Sequence, residues 1–368
     1  MDKATIAIDV RMLGASGIGT YIENLLIEFH RMKNDFRFVL IGDTEKLKSK
    51  LGHSDSFKFR ALKSRIFSIS EQIRLPGLAM GADLLHSPHH NVPLLWSGKL
   101  IVTFHDALHW DMPELICDWR GKLYLKAVSR KIRHADAVIV PSQWTAQRLA
   151  CNICVPQEKI FVIYQGVDKH HFVRRSTNGV RTVLSRYGLN PGGYLLYVGN
   201  MKPHKNIERT IKAYSIARKR GVNIPFVLAG RIEGLMRTIS IESALSNEGV
   251  KYIGEVQYSE LPYLYSGARA FLFVSMYEGF GLPPLEAMSC GCPVLTSTAT
   301  SLPEVVGESA IKVNPNDVGK IADEIVKISL DLDLRKTLIE KGLTHSKNFG
   351  WAKTARETLD VYEKILRR

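Results

Sequence analysis

The sequence predicts an α/β protein built from two parallel-sheet domains, and three observations carry that expectation. Short apolar runs alternate with stretches of helical period along the whole chain, the pattern in which parallel strands are joined by crossover helices. The rhythm breaks once, within Val167–Gly193, at the polar stretch Val173–Gly179, and then restarts. The length, 368 residues, is about twice that of an ordinary single domain. The joint is therefore placed in the polar stretch, giving a first domain over 1–175, a second over 176–350 and a closing helix over 351–368.

In the first domain, strands are expected at Thr5–Asp9, Phe36–Ile41, Asp83–His86, Leu100–Phe104, Ala137–Val140 and Lys159–Ile163. Between the first two, Tyr21, Ile22, Leu25, Leu26 and Phe29 recur at helical spacing. This predicts a helix over Tyr21–Met32, opened by a capping box of Thr20 and Glu23. The second domain repeats the scheme with strands at Tyr194–Val198, Phe226–Leu228, Tyr252–Ile253, Ala270–Val274 and Pro293–Leu295. In the closing helix, Ala355, Leu359, Tyr362, Ile365 and Leu366 form one apolar stripe. Two such halves joined by a hinge bind ligands in the cleft between them, at the C-terminal strand edges.

Composition excludes several classes. Hydrophobic residues make up 45% and charged residues 23%, which excludes disorder and fibrous repeats. No run reaches the roughly 18 apolar residues of a membrane span, and Met1–Ala4 leads into a strand without a signal-peptide layout. Five cysteines without framework spacing point to a reducing cytoplasm. The net charge is +14, of which +6 lies up to His170 and +8 beyond it. Eight Lys or Arg fall between Lys46 and Arg74, and six more, with no acid, between Arg120 and Arg133. Such patches suit an anionic partner or form a solvated face.

Three segments could carry chemistry. Gly14–Gly19 follows a strand and leads into a helix, where Gly17 and Gly19 would let a phosphate approach backbone N–H groups; a tight strand–helix turn explains the glycines equally well. In Leu195–Asn206 a strand runs into a short loop, with Lys205 at the start of the next helix. An ammonium there can neutralise a diphosphate leaving group. The third segment is Glu278-Gly279-Phe280-Gly281-Leu282-Pro283-Pro284-Leu285-Glu286. The prolines suit the first turn of a helix, which puts Glu286 one turn in and Glu278 on the preceding loop. Both carboxylates could accept sugar hydroxyls from one cleft, while the N–H groups of the glycine loop point at an anion.

The Glu-x7-Glu segment, the Val198-Gly199 to Lys205-Asn206 block and Pro303–Gly307 resemble the family 4 retaining glycosyltransferases of GT-B fold. The resemblance extends through Gly17-Ile18-Gly19, Thr103–Asp106, Pro141-Ser142 and Gln165–Asp168, so it spans nearly the whole chain. In pattern it is most similar to bacterial mannosyltransferases of O-antigen and exopolysaccharide assembly. The resemblance implies two Rossmann-like domains facing each other across a cleft, with the C-terminal helix crossing back to the first.

It also implies roles. Glu286 would hold the ribose, Glu278 the donor hexose hydroxyls, and the loop Gly279, Phe280, Gly281 and Leu282 the sugar and phosphate. Lys205 would clamp the diphosphate. His105 would sit beside the transferred sugar, and Gly17 and Gly19 near the phosphates. Many members carry Arg where this chain has Asn200, and Arg231 is the candidate replacement cation. His105, Lys205 and Glu278 are thus the expected catalytic residues.

The implied donor is GDP-mannose, with UDP-glucose, UDP-galactose or a UDP-N-acetylhexosamine as alternatives. The implied acceptor is a lipid-linked or growing glycan, met at the anionic inner face of the cytoplasmic membrane. No obligatory metal and no further cofactor are expected. Trp119–Lys126 could rest on that membrane or pack on the core. Cys151-x-x-Cys154 and Cys290-x-Cys292 fall in different domains and read as helix-end cysteines rather than zinc ligands. His89-His90, His170-His171 and His204 read as loop histidines.

Two rivals come from other classes. A nucleotide-cofactor oxidoreductase would normally show a complete Gly-x-Gly-x-x-Gly, and here Ile22 occupies the third glycine position. A nucleic-acid binder would account for the charge but leaves the Glu-x7-Glu loop without a purpose, so nucleic acid is not an expected partner. The sequence assigns no oligomeric state.

Overall fold

The computed structural model describes residues 3–51, 56–115, 119–232 and 246–368. The chain divides into two compact units, Met1–Gly166 with Trp351–Arg368, and Val167–Gly350. The division falls at Gly166/Val167 rather than at 175/176, because 167–175 packs within the second unit. There the Phe172 ring meets Tyr258 and Tyr265 (centroids 5.6 and 6.1 Å), its carbonyl accepts from Ser289 Oγ (2.6 Å), and Arg175 N donates to Ser266 Oγ (3.0 Å).

The first unit holds strands β1 (Ala4–Asp9), β2 (Phe36–Gly42), β3 (Phe57–Ala61), β4 (Leu84–Ser87), β5 (Lys99–Thr103), β6 (Ala137–Val140) and β7 (Ile160–Val162). They form one parallel sheet in the order β3-β2-β1-β4-β5-β6-β7, with registers such as Ile8↔Leu40 and Ile8↔His86. β1, β4 and β6 are buried along nearly their whole length, as parallel strands covered on both faces must be. β3 is an addition to the strands expected from the sequence: it is an edge strand in which Lys58 and Arg60 interrupt the apolar run.

The first helix also differs from expectation. It spans Ser16–Arg31, with Ala15 as its N-cap and no capping side chain, so Thr20 and Glu23 lie inside it. The Gly14–Gly19 stretch is therefore a turn followed at once by helix. A Cβ on Gly19 would stand 2.6 Å from Gly14 N and 2.9 Å from Met12 O, so a close backbone approach requires this glycine.

Helix Trp351–Leu366 belongs to the same unit. Trp351 packs on Tyr21 and Tyr362 on Phe29 (centroids 6.0 Å each). His86 Nδ1 hydrogen-bonds the Tyr362 hydroxyl (2.6 Å) and its Nε2 the Thr103 hydroxyl (2.8 Å), one ring nitrogen donating and the other accepting. Burial, with a smaller contribution from His105, lowers the His86 pKa to about 3, so the ring is neutral.

The second unit holds β8 (Leu195–Val198), β9 (Phe226–Ala229), β10 (Val250–Gly254), β11 (Ala270–Phe273), β12 (Val294–Ser297) and β13 (Ile311–Val313). These are parallel in the order β10-β9-β8-β11-β12-β13. The central strands β8, β9, β11 and β12 are buried almost throughout. β13, three residues long, is likewise an addition to the expected strands. β8 lies between β9 and β11, so the loops after β8 and β11 emerge side by side at the C-terminal edge.

Candidate active site

The neighbouring loops are tied together by Asn206. Its backbone is left-handed (φ 60°), and its amide donates to Val274 O (3.0 Å) and Pro315 O (2.7 Å). Met276 N and Ser275 Oγ both donate to His204 O (2.8 and 3.0 Å). The 3-10 turn Pro203–Lys205 is thereby fixed against the loop after β11, rather than beginning the helix, which starts at Ile207. This places Lys205 Nζ 2.6 Å from Glu278 Oε1, with both side chains largely buried and Nζ 5.4 Å from the Phe273 ring centroid.

The glycine loop is held from below. Glu278 N donates to Thr300 Oγ1 (3.1 Å), and Ser301 Oγ reaches the carbonyls of Glu278 and Phe280 (2.9 and 2.8 Å). Phe280 is buried, 6.1 Å from the Phe349 ring. Gly281, at φ 115°, turns the chain into helix Leu282–Ser289, whose first turn contains Pro283 and Pro284. A Cβ at Gly281 would stand 2.7 Å from the Leu302 side chain, so both the angle and the space call for glycine. Glu286 lies one turn in and accepts from the Tyr265 hydroxyl (3.2 Å). Burial raises its carboxyl pKa to about 7, against the smaller, lowering effect of the Tyr265 hydrogen bond.

Asn200 and Arg231 lie on the adjacent strand ends of β8 and β9. Met201 N donates to Arg231 O (2.9 Å), and a Cβ on Gly230 would overlap the carbonyl of Gly199, so these loops touch backbone to backbone. The Asn200 carbonyl accepts from Tyr197 OH (3.1 Å). Arg231 Nε pairs with Glu255 (2.7 Å) on a surface where both are more than half exposed, so its charge is already engaged.

His105, Gly17 and Gly19 belong to the first unit. His105 Nε2–H donates to Pro88 O (2.9 Å), and Nδ1 accepts from Gln165 Nε2 (3.1 Å). Its ring meets Tyr21 edge-on at 5.0 Å, and burial lowers its pKa. The histidine is thus a fixed, neutral tautomer. Gly17 lies within the first helix, and a Cβ added there would meet no atom within 4 Å, so no packing constraint demands a glycine.

Several functional supports lie beyond what the sequence motifs reach. Tyr265, Thr300 and Ser301 fall outside those motifs, and no local pattern marks them. A buried polar cluster at the end of β1 is a further addition. Arg11 forks onto Asp9 (2.8 and 2.6 Å) and Glu71 (2.6 Å), and Asn91 Nδ2 bridges both Glu71 oxygens (3.0 and 3.1 Å). Two charged residues closing an apolar strand, Asp9 and Arg11, are its one signal in the sequence.

Residues 15–171 match the profile of Glycosyltransferase Family 4, and residues 189–345 that of Glycosyl transferases group 1. O-antigen chain mannosyltransferase B of Escherichia coli is 32% identical over 285 residues, which cover 77% of this chain and 74% of that protein. The chain is a family 4 glycosyltransferase. A second similar protein, the serotype-specific mannosyltransferase WbdA of Escherichia coli, is 34% identical over 242 residues. Those residues are 64% of this chain but only 30% of that longer protein. Among solved structures, Anabaena HepE in complex with UDP and glucose superposes with a TM-score of 0.78. The superposition covers 98% of this chain and 100% of that one at 17% identity, a likeness of fold. With its two parallel-sheet units, the glycosyltransferase has the GT-B fold.

Proposed function

We propose that this glycosyltransferase moves mannose from GDP-mannose, with retention at the anomeric carbon, onto a lipid-linked or growing glycan of O-antigen or exopolysaccharide. The observation that carries the donor site is the 2.6 Å pair of Lys205 and Glu278 beside the Gly281-capped helix. In a nucleotide sugar the hexose and the β-phosphate share one oxygen. A cation for the phosphate and a carboxylate for the hexose hydroxyls must therefore be neighbours, and these two are. On donor binding the diphosphate takes over Lys205, releasing Glu278 to accept from the sugar, while Glu286 accepts from the ribose. The N-terminus of helix Leu282–Ser289 adds a dipole that favours the anion.

As the glycosidic bond breaks, charge builds on the departing diphosphate, and Lys205 stabilises it more than it does the ground state. The acceptor hydroxyl attacks from the face the nucleotide leaves, through an oxocarbenium-like state, and gives its proton to the departing diphosphate. No metal is required in this reading. Mannose as the sugar rests on the similarity to O-antigen chain mannosyltransferase B. The UDP and glucose in the HepE structure favour the second reading, a UDP-hexose donor on the same site.

In this reading the enzyme works at the anionic inner face of the cytoplasmic membrane. What supports it is that exposed Lys63, Arg65 and Arg74 accompany exposed Phe67, Ile69 and Ile73, a mixture that suits an acidic bilayer. Vesicle binding that fails to strengthen with acidic lipid would remove this placement.

Titration with GDP and UDP in the presence of a chelator tests the donor. GDP should bind more tightly, and transfer from GDP-mannose should yield the anomer of the donor by NMR. Preferential UDP binding would move the donor to a UDP-hexose, and an inverted product would overturn the mechanism.

A further inference from the structure

Helix Trp119–Arg133 carries Lys122, Lys126, Arg130 and Arg133 at offsets of four, four and three, so the four cations lie along one face over about 16 Å. Like charges at this spacing weaken a helix. Some helical cations elsewhere are paired, such as Lys336 with Asp333 and Lys353 with Glu357. These four make no ion pair with a described residue. They line an open cavity of about 740 Å³ together with Trp110 and Leu125, and among the described residues no carboxylate lines it. The nearby Asp111 does not cancel the charge, because Arg148 holds it in an ion pair and Asn152 Nδ2 donates to it (2.8 Å).

The cavity has fixed walls. Trp110 Nε1 donates to Ser129 Oγ (2.9 Å), its ring packs on Phe104 (5.1 Å), and Arg133 Nε is held by Ile153 O (2.8 Å). Beside the cationic row, three residues back along the helix, lie Trp119 and Leu123, which are 70% and 60% exposed. A row of cations with no ion pair among the described residues, next to an exposed apolar row, matches a ligand with a multiply charged head and an apolar chain.

We propose that this cavity is a second anion site, which takes the diphosphate head of an amphiphile while its chain runs over Trp119 and Leu123. The assignment rests on the proposed lipid-linked acceptor and names the surface that would hold its lipid end. An inorganic phosphate could share the cationic row but would make no use of Trp110, Leu125, Trp119 or Leu123, and the amphiphile is therefore favoured.

The test is titration of the full chain with farnesyl diphosphate and with inorganic pyrophosphate, in excess GDP and UDP to occupy the nucleotide site. Farnesyl diphosphate should bind at least tenfold more tightly than pyrophosphate. The double substitution Lys126→Glu with Arg130→Glu should weaken it at least tenfold, and Lys122→Gln with Lys126→Gln, a milder change, at least threefold. The control Lys212→Glu with Lys219→Glu, an equal change of net charge at exposed positions of the second unit, should alter it less than twofold. Unaltered binding in both cavity variants would overturn the site. Equal affinity for the two ligands would overturn the amphiphile in favour of free phosphate. Binding only to phosphatidylglycerol vesicles would overturn it in favour of a general bilayer contact. GDP affinity is read separately on the second unit, so failure of the donor assignment leaves these outcomes interpretable.

Discussion

Replacing Glu286 by Gln should change how stability depends on pH. Burial lifts the Glu286 carboxyl from 4.5 to about 7, so the native protein binds this proton more tightly than the unfolded chain does. The sign follows: the group is least unfavourable below pH 4.5, stability is lost as pH rises towards 7, and the loss is complete above it. A separation of about 2.5 units corresponds to roughly 3 kcal/mol. Glu286→Gln should therefore match the wild type near pH 4.5 and exceed it by about 3 kcal/mol at pH 8. Chemical denaturation of both proteins across that range gives the difference curve, in which all other titrating groups cancel. A flat difference would refute the argument that burial controls this carboxyl. Nucleotide affinity supplies an opposed readout: the wild type should bind better as pH rises through 7, since the ionised carboxylate is the better ribose acceptor, whereas the Gln variant should show no such rise.

Lys205→Ala should lower kcat/KM for the donor about a hundredfold, because it removes the cation proposed to face the leaving group and strands Glu278; steady-state kinetics with a melting curve separates this from unfolding. Gly19→Ala should destabilise by roughly 1–3 kcal/mol through its clash with Gly14 and Met12. Gly17→Ala, with open space and a helical backbone, should stabilise by about 0.5–1 kcal/mol. Unfolding titrations of the two variants decide between a packing and a permissive role for these glycines. Acid should loosen the first unit: burial lowers the pKa values of His86, His89 and His90 to about 3, 2 and 3. Stability present above pH 6.5 is then lost as pH falls, by up to roughly 2 kcal/mol per histidine at pH 5, which circular dichroism melts can follow.

Much of this fold can be read from the chain, because parallel strands buried on both faces write unbroken apolar runs such as Phe271–Val274 and Ala137–Val140. The elements that cannot be read have a physical cause. β3 is an edge strand, half exposed, so Lys58 and Arg60 hide it inside a basic segment. β13 is too short to show a period. Thr20 and Glu23 mimic a cap that the backbone does not use, which sets the expected start of the first helix too late. At the site, the Glu278 and Glu286 loop and Lys205 are legible because sequence spacing and turn chemistry are local. The 2.6 Å pairing of Lys205 with Glu278, and the supports from Tyr265, Thr300 and Ser301, are not, because they join positions brought together only by the sheet order.

The return of helix Trp351–Leu366 to the first unit sets an order of events during synthesis. A seven-stranded sheet can form once Val162 has emerged, yet the hydroxyl that meets His86 and the rings that cover Tyr21 and Phe29 are still about 190–200 residues away. At ribosomal speeds of roughly 5–20 residues per second, that is a wait of about 10–40 s with an apolar seat uncovered. Nascent first units on neighbouring ribosomes could exchange this helix only after the second unit is made. The enzyme's vulnerability to misassembly therefore lies in time as well as in sequence, and it lasts until helix Trp351–Leu366 has been made.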